Sequence, residues 1–153
     1  MKVVFLLRHG ERLLPDPADE LTPDGVKRAE LLGRMLANSG IRFAFCSNML
    51  RTHQMIEPLQ QSSGVKIKRE DVTIDRDHIP DYVQQTVAKV TALPDEAIAI
   101  IVSHDIAITP IVEGLTGRTV DEVTGTQFDK LFVLSIPKTG PGNVSLMRYG
   151  VAT

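Results

Sequence analysis

The sequence has a single cysteine in 153 residues, Cys46. That excludes an intrachain disulfide and a cysteine-rich zinc site. Cys46 sits in an apolar run, where a buried structural thiol is the simplest reading. No apolar run is long enough to span a bilayer; the first, Val3 to Leu7, is far too short. No charged-then-apolar leader with a cleavage site opens the sequence, so a cytoplasmic protein with no membrane partner is the expectation. Charge of either sign is nearly balanced, with 17 Lys and Arg against 19 Asp and Glu and a net charge of −2. A nucleic-acid or anionic-membrane surface is therefore not expected as the main partner. Internal repeats, low-complexity segments and linkers are all missing. What is present is ordinary for a globular protein, 42% hydrophobic and 24% charged residues. The length suits one domain, residues 1–153, with a sizeable core.

Short apolar runs alternate with longer helical periods. Residues 2–7, 41–46 and 97–103 read as buried strands. Thr22-Pro23-Asp24 reads as a helix start: Thr22 caps, Pro23 fits the first helical position and Asp24 suits the dipole. Val26, Ala29, Leu32, Gly33 and Leu36 then share one face, and the helix stops near Ser39-Gly40. A second helix spans 49–61, with Met49, Met55, Ile56 and Leu59 inward; Met35 is likewise assigned to a core face. The stretch 63–79 predicts two short strands, 65–68 and 72–74, before the polar run Asp75-Arg76-Asp77-His78. The charged stretch Lys66 to Glu70 reads as a solvated edge strand. A helix follows over 80–92. Thr109-Pro110 repeats the cap-then-proline signal, so a helix is predicted from there to Leu115 or Thr116. Strands at 131–136 and 144–148, joined by the Gly-Pro-Gly-Asn turn, make a hairpin. The alternation predicts an α/β fold, a three-layer αβα sandwich with a mostly parallel central sheet and a C-terminal edge hairpin.

Three predicted strands end in reactive side chains. Val3 to Leu7 runs into Arg8-His9-Gly10-Glu11-Arg12, Phe43 to Cys46 into Ser47-Asn48-Met49-Leu50-Arg51-Thr52, and Ile98 to Val102 into Ser103-His104-Asp105. In open α/β sheets, ligands bind at that edge. A phosphoryl group suits this set, because arginine's planar fork matches its oxygens. His9 has the chemistry of an in-line nucleophile when neutral, a form that neighbouring arginines favour. A leaving alkoxide needs a proton, for which Asp105 and Glu11 are candidates, with Asp75 and Asp77 behind them.

Each residue also has a plainer reading. His9 and His104 alone could be strand-end histidines bonded to backbone. Arg12 and Arg51 could be solvated, Asp105 only a helix cap, and Glu11 a surface charge. His53 reads as a helix residue at a pocket rim. His78 beside Asp75 and Asp77 matches no zinc spacing.

At these residues the sequence resembles the histidine phosphatase superfamily, the phosphoglycerate-mutase-like proteins. The motifs are Arg8-His9-Gly10, Leu21-Thr22-Pro23-Asp24-Gly25, Ser47 through Arg51-Thr52, and Val102-Ser103-His104, in the family's order. The resemblance implies that His9 becomes phosphorylated and that Arg8, Arg51 and His104 bind the phosphoryl group, with no metal and no organic cofactor. Arg8-His9-Gly10-Glu11-Arg12 and His104-Asp105 are similar to the acid-phosphatase branch. There a second arginine, here Arg12, binds phosphate and the aspartate donates the proton. The compact size is more similar to bacterial phosphohistidine phosphatases of the SixA type. The implied substrate is a phosphorylated small molecule or a phosphoprotein. The competing readings are a mutase, which needs a lid, and a non-catalytic phosphate-binding module.

Overall fold

Strands with no polar alternation must be covered on both faces, and the three apolar runs lie at the middle of the sheet. The computed structural model describes residues 1–153. Its strands are β1 (Lys2–Arg8), β2 (Phe43–Ser47), β3 (Lys68–Val72), β4 (Ile98–Ser103), β5 (Lys130–Ile136) and β6 (Asn143–Arg148). They form one six-stranded sheet in the order β3-β2-β4-β1-β5-β6. β3, β2, β4 and β1 are parallel, while β5 and β6 are antiparallel additions at one side.

The helices are α1 (Pro23–Leu36), α2 (Leu50–Ser62), α3 (Ile79–Thr91) and α4 (Asp105–Thr116). Side chains on successive strand residues point to opposite faces, so β4 feeds two cores. Ile100 and Val102 pack with Leu32, Leu36, Met55 and Leu59 of α1 and α2. Ala99 and Ile101 pack with Tyr82, Ile108, Ile111 and Val112 of α3 and α4. The three layers of the sandwich are these two helix pairs and the sheet between them. Cys46 lies in the first core, 1% exposed, where burial pushes its thiol up to about 12. No helix is long and apolar enough to cross a membrane.

Four local expectations are corrected. Thr109-Pro110 does not open a helix: α4 begins at Asp105 with His104 as its N-cap, and Pro110 lies inside it. In place of the predicted strands at 65–68 and 72–74 there is one strand between them, β3, which shares only Lys68 and Val72 with the expectation and pairs in parallel with β2. Val26 is 40% exposed and Met35 39% exposed, not core. The buried stripe of α1 is instead Gly25, Arg28, Ala29, Leu32, Gly33 and Leu36, with an arginine inside it. Pairing of Arg8 with Ser103 and of Cys46 with Val102 brings the C-terminal ends of β1, β4 and β2 side by side. That shared edge carries the site.

Candidate active site

His9 leaves β1 with its backbone N–H bonded to the Ser103 carbonyl at 3.0 Å. His9 is 2% exposed. The Nδ1–H donates to the Gly10 carbonyl at 2.7 Å, which leaves Nε2 as the lone-pair nitrogen. The Arg51 Nε–H donates to that Nε2 at 3.3 Å. Burial drives the His9 pKa down to about 2; the Gly10 bond opposes this, and His104, Arg8 and Arg51 reinforce it. His9 is therefore neutral at physiological pH. Gly10 lets the chain pass close to the start of α1, since a Cβ there would sit 3.1 Å from the Gly25 backbone.

The His104 ring meets His9 edge-on, with centroids 5.2 Å apart. Its Nε2 is 2.7 Å from the Ser47 hydroxyl. Burial, then Arg51 and Arg8, lower its pKa to about 3. Arg8 Nη1 donates to the carbonyls of Thr124, Gly125 and Gln127, and its guanidinium lies 4.1 Å above the Phe128 ring. Its buried Nε has no partner, so one donor of this guanidinium is left unused. Asp105 opens α4 with a carboxylate oxygen 3.8 Å from Arg8 Nη2.

These groups line a cavity of about 430 Å³ that also takes in Arg12, Arg51 and Arg76. Met49, Ile74 and Ile106 supply its apolar wall. Four guanidinium groups and two neutral imidazoles around one cavity make a receptor for a compact, multiply charged anion. No group of three or more His, Cys, Asp or Glu converges on a point as metal ligands would.

The cavity gathers six of the residues singled out in the sequence: Arg8, His9, Arg12, Arg51, His104 and Asp105. Glu11 stands elsewhere. Arg28 grips both its carboxylate oxygens, at 2.9 and 3.1 Å. Burial raises the Glu11 pKa, but the bond to Arg28 and its charge outweigh this and hold it below its usual range. A carboxylate so paired is a poor acid. Asp75 caps a short 3-10 turn by accepting from the Asp77 N–H, and it also bonds His78 at 2.9 Å. Neither Asp75 nor Asp77 lines the cavity. His53 faces Asp71 at 3.0 Å.

Sequence reasoning missed Arg76 and Asp19. Arg76 lies in the least periodic stretch, where nothing marks it as inward. Asp19 accepts from the Leu50 and Arg51 N–H groups and from the Arg51 guanidinium, so it caps α2 and orients Arg51 together. The absence of a side-chain cap at Met49 is the signal that a distant acid is needed there.

The sequence model of the histidine phosphatase superfamily, branch 1, matches residues 4–79. The mitochondrial serine/threonine-protein phosphatase Pgam5 of Caenorhabditis elegans is 52% identical over 83 residues, 54% of this chain. That match covers 24% of the relative, so the chain spans about a quarter of its length. Among solved structures, the protein histidine phosphatase SixA complexed with tungstate has a TM-score of 0.71 at 20% identity, over 95% of this chain and 96% of that one. YhfR of Bacillus stearothermophilus has a TM-score of 0.70 at 14% identity, over 95% and 96%. At these identities the structural likeness is one of fold.

Proposed function

This chain belongs to the histidine phosphatase superfamily, and on that premise we propose that it is a metal-independent phosphatase acting on phosphorylated protein side chains through a phosphohistidine at His9. The carrying observation is the proton-free Nε2 of His9, facing Arg51 in a cavity walled by arginines.

In the first step Nε2 attacks phosphorus, the N–P bond forms and the bond from phosphorus to the ester oxygen breaks. The ring gains positive charge as it attacks, and the Gly10 carbonyl on Nδ1–H stabilises it. Arg51 and Arg8 bind the equatorial oxygens, together with His104, which Ser47 holds. Fixed donors of this kind are usually the largest contribution to barrier lowering. Asp105 gives its proton to the leaving oxygen. Water then attacks the phosphoenzyme, Asp105 takes a proton from it, and inorganic phosphate leaves with Nε2 restored. Arg12 and Arg76 attract the dianion at the rim.

Two considerations support a protein substrate. The proteins this chain resembles include ones named as a serine/threonine-protein phosphatase and a protein histidine phosphatase. The rim residue Ile106 is 56% exposed, so a side chain carried on a polypeptide can reach the cavity. Mutase-type transfer requires an enclosed intermediate, which this open rim does not favour. The proposal includes a cytoplasmic location, checked by fractionation against the mitochondrial one named for the worm relative.

The test is hydrolysis of p-nitrophenyl phosphate and of phosphopeptides in the presence of chelator. Chelator-resistant turnover is expected, together with an alkali-stable, acid-labile phosphoenzyme that is lost in His9→Ala. Turnover that survives His9→Ala would overturn the mechanism. Phosphate binding without turnover would mark a non-catalytic module.

A further inference from the structure

The residues after β6 make contacts that their position alone does not require. The Tyr149 N–H bonds the Asp129 carbonyl at 3.0 Å. The carbonyls of Tyr149 and Val151 accept from Arg28 at 2.7 and 2.9 Å. Arg28 is 4% exposed, and its remaining donors hold Glu11, two residues beyond His9. Gly150 between the two carbonyls has a φ of +73°, and a Cβ there would come within 2.8 Å of Arg28 Nη1. The segment therefore wraps closely around the guanidinium, and glycine is what permits the wrap.

Its far end reaches the other side of the site. The Thr153 hydroxyl accepts from the N–H groups of Phe128 and Asp129 at 2.7 and 3.1 Å and donates to an Asp129 carboxylate oxygen at 3.0 Å. Phe128 is the ring under Arg8. The loop ending there also supplies the three carbonyls on Arg8 Nη1. One five-residue segment thus touches both flanks of the Arg8–His9 pair, through Arg28 and Glu11 on one side and through Phe128 on the other.

We propose that residues 149–153 form a strap that positions the catalytic pair, with Arg28 and Thr153 as positioning residues. The inference rests on the phosphatase reading for its kinetic consequences. Its physical content is that the strap fixes where the Arg8 donors point. Arg8 Nη1 is fully engaged, so a shift of the 124–129 loop moves the whole guanidinium and with it the unpartnered Nε. Misplacing such a group by a fraction of an ångström lowers rate far more than it lowers stability.

Thr153 gives the cleaner test, because its side chain lies on the surface and its loss leaves both cores intact. Thr153→Val keeps the shape and removes the hydroxyl, while Thr153→Ser keeps the hydroxyl. Tungstate affinity by calorimetry, kcat and KM for p-nitrophenyl phosphate, and Tm are measured on all three proteins. The expected result is that Thr153→Val loses about tenfold in kcat and in tungstate affinity, with Tm lowered only as far as unpairing the buried Asp129 carboxylate lowers it, and that Thr153→Ser recovers all three. Arg28→Lys, which cannot hold two carbonyls and a carboxylate in one plane, should lower kcat in the same direction. Wild-type kinetics and tungstate affinity in Thr153→Val would overturn the proposal, as would equal losses in Thr153→Val and Thr153→Ser. If the wild-type protein turns nothing over, the functional reading fails. The tungstate measurement then still decides the strap: weaker binding in Thr153→Val upholds it and equal binding removes it.

Discussion

At His9 and His104 the same burial that prepares the chemistry sets an acid limit on the fold. Both imidazoles are neutral in the folded protein, with pKa values held down to about 2 and about 3. In the unfolded chain they titrate near the ordinary value of about 6.5. Between those limits the unfolded state binds more protons, so stability falls as pH falls below about 6.5. Each imidazole costs about 1.4 kcal/mol per pH unit over that window. The lowered carboxylates, Glu11, Asp19 and Asp129 among them, contribute stability that is lost only below their ordinary range near 4. His78, raised by its bond to Asp75, has the opposite sign: its contribution is lost as pH rises through its folded value. Urea unfolding at pH 7 and pH 5 should therefore show a steep loss that His104→Gln reduces. An equal loss in the variant would mean that another group carries the acid sensitivity. Asp105 makes a second prediction at this scale. p-Nitrophenolate departs without a proton, whereas a serine alkoxide needs one. Asp105→Asn should therefore cost about 10²-fold or more in kcat on phosphoserine peptides and much less on p-nitrophenyl phosphate. Equal losses on both would assign Asp105 to holding Arg8 rather than to proton transfer.

The elements show why one helix start was legible and the other was not. Thr22-Pro23 caps α1 because the Thr22 Oγ1 accepts from the Gly25 N–H at 3.1 Å. Thr109-Pro110 has the same letters, but the chain is already helical by then, since the turn after β4 starts α4 at Asp105, whose own carboxylate accepts from the Ile106 N–H. The Thr109 hydroxyl faces the carbonyls of Val120 and Asp121 instead. A local signal was outweighed by where the strand ended. Similarly, α1 was legible by its period, yet the residue that matters on its buried stripe is Arg28, which an apolar pattern passes over. Glycines on this helix separate packing from site geometry. At Gly33 a Cβ would sit 3.1 to 3.2 Å from the backbone of Pro58 and Leu59, where α1 and α2 meet. Gly33→Ala should cost about 1–3 kcal/mol, read as a lower Tm, with kcat preserved in the folded protein. At Gly25 a Cβ would overlap the Glu11 carbonyl at 2.2 Å, so Gly25→Ala should lower kcat as well as Tm. Unchanged kcat in Gly25→Ala would show that the loop after His9 shifts without consequence.

For the whole molecule, the layers and the parallel centre of the sheet followed from continuous apolar runs. The gathering of Arg8, His9, Arg51 and His104 followed from three such runs ending at one edge. Arg76 and Asp19 were not legible, because each is placed by contacts far away in sequence, Arg76 with Asp16 and Asp19 with Leu50 and Arg51. The consequence is a charge distribution that the net value of −2 conceals. Arg8, Arg12, Arg51 and Arg76 face one cavity, and the carboxylates that restrain them are Asp16, Asp19 and Asp105 at its margins. Four like charges held together store repulsion that a bound oxyanion relieves. Tungstate or vanadate should thus stabilise the fold by mass action, by about 2.7 kcal/mol at a hundred times its dissociation constant. For a chain of this size that raises Tm by about 5–10 °C. Arg51→Ala should abolish most of the shift, since that guanidinium is buried and aligned on His9. Arg76→Ala, 69% exposed at its side chain and screened by solvent, should reduce it only slightly and mainly at low salt. An undiminished shift in Arg51→Ala would place the anion elsewhere on the protein and remove the structural basis for a phosphohistidine at His9.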